Sequence, residues 1–208
     1  MADLLEEVAD GVAVLTMNRP DRLNAFSWPM LDAMLEALIR LAADDGVGVV
    51  MLTGAGRGFC AGGDVKAMAE GREAEGDTLE QRAQALRARM ETSRWLHEMG
   101  KPTIAMVRGA AAGAGLSLAM ACDLRIASDT ARFATAFARV GYSGDFGGSY
   151  YLTRLVGTAK ARELYRARLR RQARARVQGP LRRSIATTRR ASGVSLSPKA
   201  IRSPLRSP

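Results

Sequence analysis

Short β-branched apolar runs recur along this chain, and glycines or a helical pattern follow each of them. GVAVLTM (11–17), VGVVMLT (47–53), TIAMVRG (103–109) and DLRIAS (123–128) read as strands, the last three of them buried. From Ser27, Met30, Leu31, Met34, Leu35, Leu38 and Leu41 recur at spacings of three and four, with Pro29 in the first turn, which predicts a helix. TGAGRGFCAGGD (53–64) is a long glycine-rich loop, and Asp64 stands where it can cap a short helix, VKAMAEG. Residues 77–99 read as a long, partly solvated helix rich in Arg and Glu. The stretch 109–123 runs from a glycine turn into a helix of small residues, and 131–141 reads as short irregular structure. GGSYYLTRLVG (147–157) reads as a helix closed by Gly157, with Thr158 capping the next one, TAKARELY. Strands alternating with helices define an α/β fold.

The net charge of +10 suggests nucleic acid at first sight, but its distribution argues otherwise. No acidic residue follows Glu163, whereas twelve Arg and Lys199 lie in residues 166–208. Residues 1–165 therefore carry a net −3, and the chain divides into an ordinary domain (1–165) and a basic tail (166–208). The tail holds four of the seven prolines and few large apolar residues, so it is expected to be disordered. Its cations would neutralise phosphates, but no aromatics interleave with them for base stacking, so nucleic acid is not the expected partner. No run approaches the ~18 apolar residues of a membrane span. The first residues, MADLLEEVADGVAV, are acidic, unlike a secretory signal, so a cytoplasmic location is expected. Cys60 and Cys122 have neither metal-ligand spacing nor a disulfide framework.

The glycine loops invite a nucleotide reading that their spacing refuses. Gly54, Gly56 and Gly58 do not form G-x-G-x-x-G leading straight into a helix, and no G-K-[ST] is present. A second glycine cluster, GYSGDFGGSYYL (141–152), sets Asp145 among Gly141, Gly144, Gly147 and Gly148. An aspartate there is either an Asx-turn former or a carboxylate delivered to a pocket.

Four segments, in order, resemble the crotonase (enoyl-CoA hydratase/isomerase) family: NRPDRLNAF (18–26), FCAGGDVKAM (59–68), KPTIAMVRGAAAGAGLSLAMACDLRIAS (101–128) and GYSGDFGGSYYLTRLVG (141–157). The resemblance covers roughly residues 11–165. It implies a spiral of β-β-α units, an acyl-CoA thioester as substrate with no cofactor, and a homotrimer or hexamer. It also implies an oxyanion hole made by the backbone N–H groups of Ala61 and Ala114, which is the kind of preorganised donor pair an enolate needs. Ala114 opens a helix, whose N-terminus favours negative charge. Arg22 and Lys66 are implied contacts for the CoA phosphates, with Asn24, Ala25, Gly62, Gly63, Asp64 and Val65 along the adenine and pantetheine path and Gly113 beside Ala114.

The family's hydratases use two glutamates, and those positions fall here on Ser117 and Phe137, so hydration is not expected. Asp145 matches the acidic residue of the family's isomerases. The segments around it look most like the ring-1,2-epoxyphenylacetyl-CoA isomerase type, of phenylacetate catabolism. A single carboxylate can take a proton from C2 and return it at C4. The family's aroyl-CoA dehalogenases also carry an aspartate here, as a nucleophile, together with a tryptophan donor and a histidine base. This chain has Phe137, and its one histidine is His97 in the long helix. Cys60 lacks a base partner and reads as a small buried residue. The family pattern stops near Tyr165, where further helices would cover the acyl pocket. A shifted reading frame in GC-rich DNA would produce such a change, and resequencing the gene would test that.

Overall fold

The computed structural model describes residues 2–70 and 76–166. The chain begins with a hairpin. Strand β1 (Leu4–Ala9) pairs antiparallel with β2 (Val12–Met17). The two-residue turn Asp10–Gly11 takes positive φ at both positions (51° and 75°), which matches the strand twist. Strand β1 had no legible signal: Glu6 and Glu7 interrupt the apolar alternation, and the strand is mostly exposed at a sheet edge. In β2 the alternation places Ala13, Leu15 and Met17 in the core. Strands β3 (Val49–Gly54), β4 (Thr103–Val107) and, after a further short strand β5 (Ala110–Ala112), β6 (Leu124–Ala127) continue the sheet in parallel, in the order β1-β2-β3-β4-β6.

A second, smaller layer rises from the ends of these strands. There β5 pairs in parallel with β7 (Arg132–Ala134), and isolated bridges join Cys60 to Ala111 and Phe26 to Gly63. Each turn of the chain thus makes a sheet strand, then a short second-layer segment, then a helix. The helices are α1 (Trp28–Ala43), α2 (Val65–Ala69), α4 (Ala114–Ala121) and α5 (Gly148–Val156), with α3 (Leu79–Glu98) inserted after α2 and α6 (Thr158–Arg166) following α5. This is the expected spiral of β-β-α units.

Three expectations need correction. The segment 131–141 is not irregular throughout, since it contains β7 and a 3₁₀ turn at Phe137–Arg139. The run DLRIAS is not a fully buried strand: β6 closes the edge of the sheet and Ile126 is 40% exposed. Thr158 does not cap α6 but belongs to it, and the carbonyl of Gly157 accepts the bond from Ala161 N–H at 3.0 Å. Residues 167–208, most of the expected tail, lie outside the described residues.

The core packs α1 and α4 against the sheet. Met30, Met34, Leu38 and Leu41 of α1 are fully buried. All eight residues of α4 are buried, as expected of a helix apolar all round. Its C-terminal carbonyls are closed by the buried Arg125 guanidinium, which donates to Cys122 O at 2.6 Å and Met120 O at 3.2 Å. Asp123 ties β6 to β4 by accepting from Thr103 N–H at 2.8 Å.

Candidate active site

The glycine loop after β3 is fixed from inside by Asn24. Its side chain is fully buried, donates to Ala55 O and Gly58 O at 2.8 Å each, and accepts from Arg19 N–H at 2.9 Å. Asn24 therefore serves the loop's shape, and its amide does not face a ligand path. Ala25 is likewise buried, its carbonyl accepting from the Arg19 guanidinium at 2.7 Å. Gly62 then turns the chain with φ +95°, and a Cβ there would fall 2.8 Å from Ala112 O. Only glycine lets the loop lie this close to the α4 entrance.

That turn decides which amides face the site. Ala61 N–H donates to Leu23 O at 2.9 Å, so the expectation that Ala61 supplies an oxyanion donor is corrected: its N–H is already used. The cavity wall instead contains Gly63 and Ala114. Neither the Gly63 nor the Ala114 N–H has a partner among the described residues. Ala114 is the first residue of α4, after Gly113 (φ 52°), so its N–H is one of the donors a helix start leaves open. In the sequence, Gly63 looked like path lining. The signal that could have singled it out is the glycine pair, which lets Gly62 turn so that the next amide faces outward.

Asp145 faces the same cavity of about 260 Å³ from the loop before α5. Phe26, Trp28, Leu31, Met68, Met90, Tyr142 and Phe146 supply most of the remaining wall. Burial raises the Asp145 carboxyl from 3.8 to about 6, against a smaller lowering by its own backbone N–H. Its Oδ1 is buried with no hydrogen-bond partner among the described residues. That oxygen is not spent on a local turn and is left open for another donor.

The remaining candidates separate by exposure. Arg22 and Lys66 are on the surface, Arg22 at 3.7 Å from Asp21. Val65 is exposed at the start of α2. Asp64 is buried, caps α2 by accepting from Ala67 N–H at 3.1 Å, and pairs with Arg19 at 3.1 Å; burial alone would raise its carboxyl, but the cap and the arginine together hold it below its usual value. Burial pushes the thiol of Cys60 up to about 12, which leaves it without nucleophilic character. His97 is outside the cavity, its Nδ1 3.3 Å from Ala121 O and its ring edge-on to Tyr151. Ser117 and Phe137, the two positions where hydratases would carry glutamate, are both buried and both crowd Gly148: a Cβ there would lie 2.5 Å from Ser117 Oγ and 3.5 Å from Phe137. A third side chain, Tyr165, completes this cluster and stacks on Phe137 with ring centroids 6.1 Å apart. The sequence did not single it out, because it stands where the recognisable pattern ends.

Two open backbone donors, one of them at a helix entrance, lining an apolar cavity with a half-buried carboxyl on a β-β-α spiral, are the architecture of crotonase-like proteins. The sequence profile of the enoyl-CoA hydratase/isomerase family matches residues 7–179, past the point near Tyr165 where its motifs stop, and the chain belongs to that family. It is 39% identical to the 1,2-epoxyphenylacetyl-CoA isomerase of Escherichia coli over 161 residues, 77% of this chain and 61% of that protein. It is 40% identical to a 4-chlorobenzoyl coenzyme A dehalogenase of Arthrobacter over 76% of this chain and 56% of that protein. A crystal structure of an enoyl-CoA hydratase from Polaromonas superposes with a TM-score of 0.71 at 35% identity, over 77% of this chain and 62% of that one. The chain thus spans somewhat over half the length of the curated relatives it matches. Among the described residues, no helix is long and apolar enough to cross a membrane.

Proposed function

We propose that this chain is an acyl-CoA isomerase that moves a double bond by way of a thioester enolate. The thioester oxygen lies on the N–H groups of Gly63 and Ala114. Asp145 removes a proton from C2, the electron pair spreads into the thioester carbonyl, and the same carboxyl returns the proton at C4 as the double bond moves to C2–C3. Nothing is oxidised or reduced, so no cofactor is required. The observation that carries this reading is one half-buried carboxyl, raised to about 6, in the same cavity as two backbone donors that have no partner among the described residues. The aromatic and methionine walls favour a compact or ring-bearing acyl group over a long straight chain. Arg22 and Lys66 contact the CoA phosphates outside the cavity, and the assembly is a trimer or a hexamer.

Hydration fits poorly, because Ser117 and Phe137 offer no carboxylate for the second proton task. The 4-chlorobenzoyl coenzyme A dehalogenase relative favours one other use of Asp145, as a nucleophile. By the family's pattern that chemistry also needs an indole donor and a histidine base, and here Phe137 has no N–H while His97 is outside the cavity. The test is turnover of a 3-enoyl-CoA to the conjugated 2-enoyl product by the full chain, beside Asp145→Asn. Isomerisation lost in the variant is the expected result. Release of halide from an aroyl-CoA without isomerisation would replace this reading with the nucleophilic one.

A further inference from the structure

Buried polar atoms without partners are uncommon, because each costs about 1–3 kcal/mol. Two occur against one stretch of this chain: Asp145 Oδ1 and the Tyr165 hydroxyl, neither with a hydrogen-bond partner among the described residues. Tyr165 reaches the loop from α6, behind the cavity wall rather than in it. Its oxygen packs against both glycines that bracket Asp145. A Cβ at Gly144 would lie 3.2 Å from it, and one at Gly148 2.9 Å. Both flanking positions thus accept no side chain without displacing this hydroxyl. The ring is fixed by its stack on Phe137, whose planes differ by 9°. A tyrosine packed in this way, with its O–H buried near the carboxyl that lines the cavity, has a donor and, among the described residues, no acceptor.

We propose that Tyr165 is a positioning residue for Asp145: its hydroxyl donates to the carboxylate once Asp145 is ionised, orienting it and favouring its charged form. This rests on the role given to Asp145 above. In the structure the two groups are not within hydrogen-bonding distance, so a rotation of the aspartate side chain is part of the proposal. The electrostatic surroundings are simple. Tyr142 lines the cavity and Tyr165 stands behind it, and the causes of the Asp145 shift are burial and its own backbone N–H. The Asp145 charge, for its part, acts together with burial to raise the Tyr165 hydroxyl. A hydrogen bond to the charged form would hold the carboxyl below the value that burial alone produces.

The experiment is a carbonyl-carbon NMR titration of Asp145 in the full chain, with Tyr165→Phe beside the natural chain. The expected result is a rise of about one pH unit in the Asp145 titration in the variant, from loss of one donor to the ionised form. A second variant keeps the ring and the hydroxyl: 3-fluorotyrosine placed at position 165 makes the hydroxyl a stronger donor and should move Asp145 the other way. Equal titrations in the natural chain and both variants, or a fall in Tyr165→Phe, overturn the proposal. In the isomerase assay the acid limb of kcat/KM in Tyr165→Phe should move with the NMR value, while KM changes little. A shifted titration without any turnover would sink the isomerase reading and leave this one standing. Turnover that depends on Asp145 but titrates identically without the Tyr165 hydroxyl would do the reverse.

Discussion

The carboxyl of Asp145 links reactivity to stability. Burial raises it in the folded chain to about 6, so the folded state binds a proton that the unfolded chain has already released between roughly pH 4 and that value. Stability is therefore fullest below the unfolded pKa and falls as pH rises through the folded one. Asp145→Asn should melt higher than the natural chain at pH 7.5, by about 1–2 kcal/mol, and match it near pH 3.5. Thermal melts at the two pH values check this; a gain that persists at low pH would point to a cause other than ionisation. Under the proposed isomerisation, activity should follow the opposite course, rising through about pH 6 as Asp145 ionises, read from a pH profile of kcat/KM. Gly148 is the other sensitive position. Gly148→Ala places a methyl 2.5 Å from Ser117 Oγ and 2.9 Å from the Tyr165 hydroxyl, and should cost about 1–3 kcal/mol in denaturant unfolding. At this scale the sequence made Asp145 and Ala114 legible, because one stands alone among glycines and the other opens a helix. It did not reveal which amide of the loop turns inward. That depends on the hydrogen bond from Ala61 to Leu23, a contact between segments 38 residues apart in the numbering.

Elements were readable wherever a period was long enough. The apolar face of α1 was evident from its spacing, and its start carries a cap, with Ser27 Oγ accepting from Met30 N–H at 3.2 Å. Ser27→Ala should cost about 1 kcal/mol, read as a lower denaturation midpoint with unchanged slope. The three-residue strands β5 and β7 had no such signal. Ala110–Ala112 has no β-branched residue and owes its strand form to pairing with Arg132–Ala134. The helix α4 depends on a residue outside itself. Arg125→Met keeps much of the side-chain volume but removes the donors to Cys122 O and Met120 O, and should destabilise the chain by about 2–4 kcal/mol, measured by urea titration. Because α4 presents the Ala114 N–H, the same variant should lose turnover before it loses its fold.

The whole molecule gathers its site from every turn of the spiral. Phe26, Gly63, Ala114 and Asp145 come from four successive units and line one cavity. A ligand bound there connects the units, so a nonhydrolysable acyl-CoA at a hundred times its Kd should raise the melting temperature of the full chain by several degrees in a single transition. A shift confined to a minor early step would show that the cavity does not span the fold. The alternation of strands and helices announced this architecture. The joining of four distant segments into one wall was not visible, since no local pattern encodes the second layer that brings them together. One consequence reaches past any single experiment. Both donors at the cavity belong to the main chain, so inheritance can alter the side chains at positions 63 and 114 without erasing them. A lineage built on this scaffold can drift far in sequence, exchanging the group that stands at Asp145 and with it the reaction performed, while the part that tolerates negative charge passes on intact. The substitution that escapes this protection is proline: Ala114→Pro fits a first helical turn yet deletes the N–H itself.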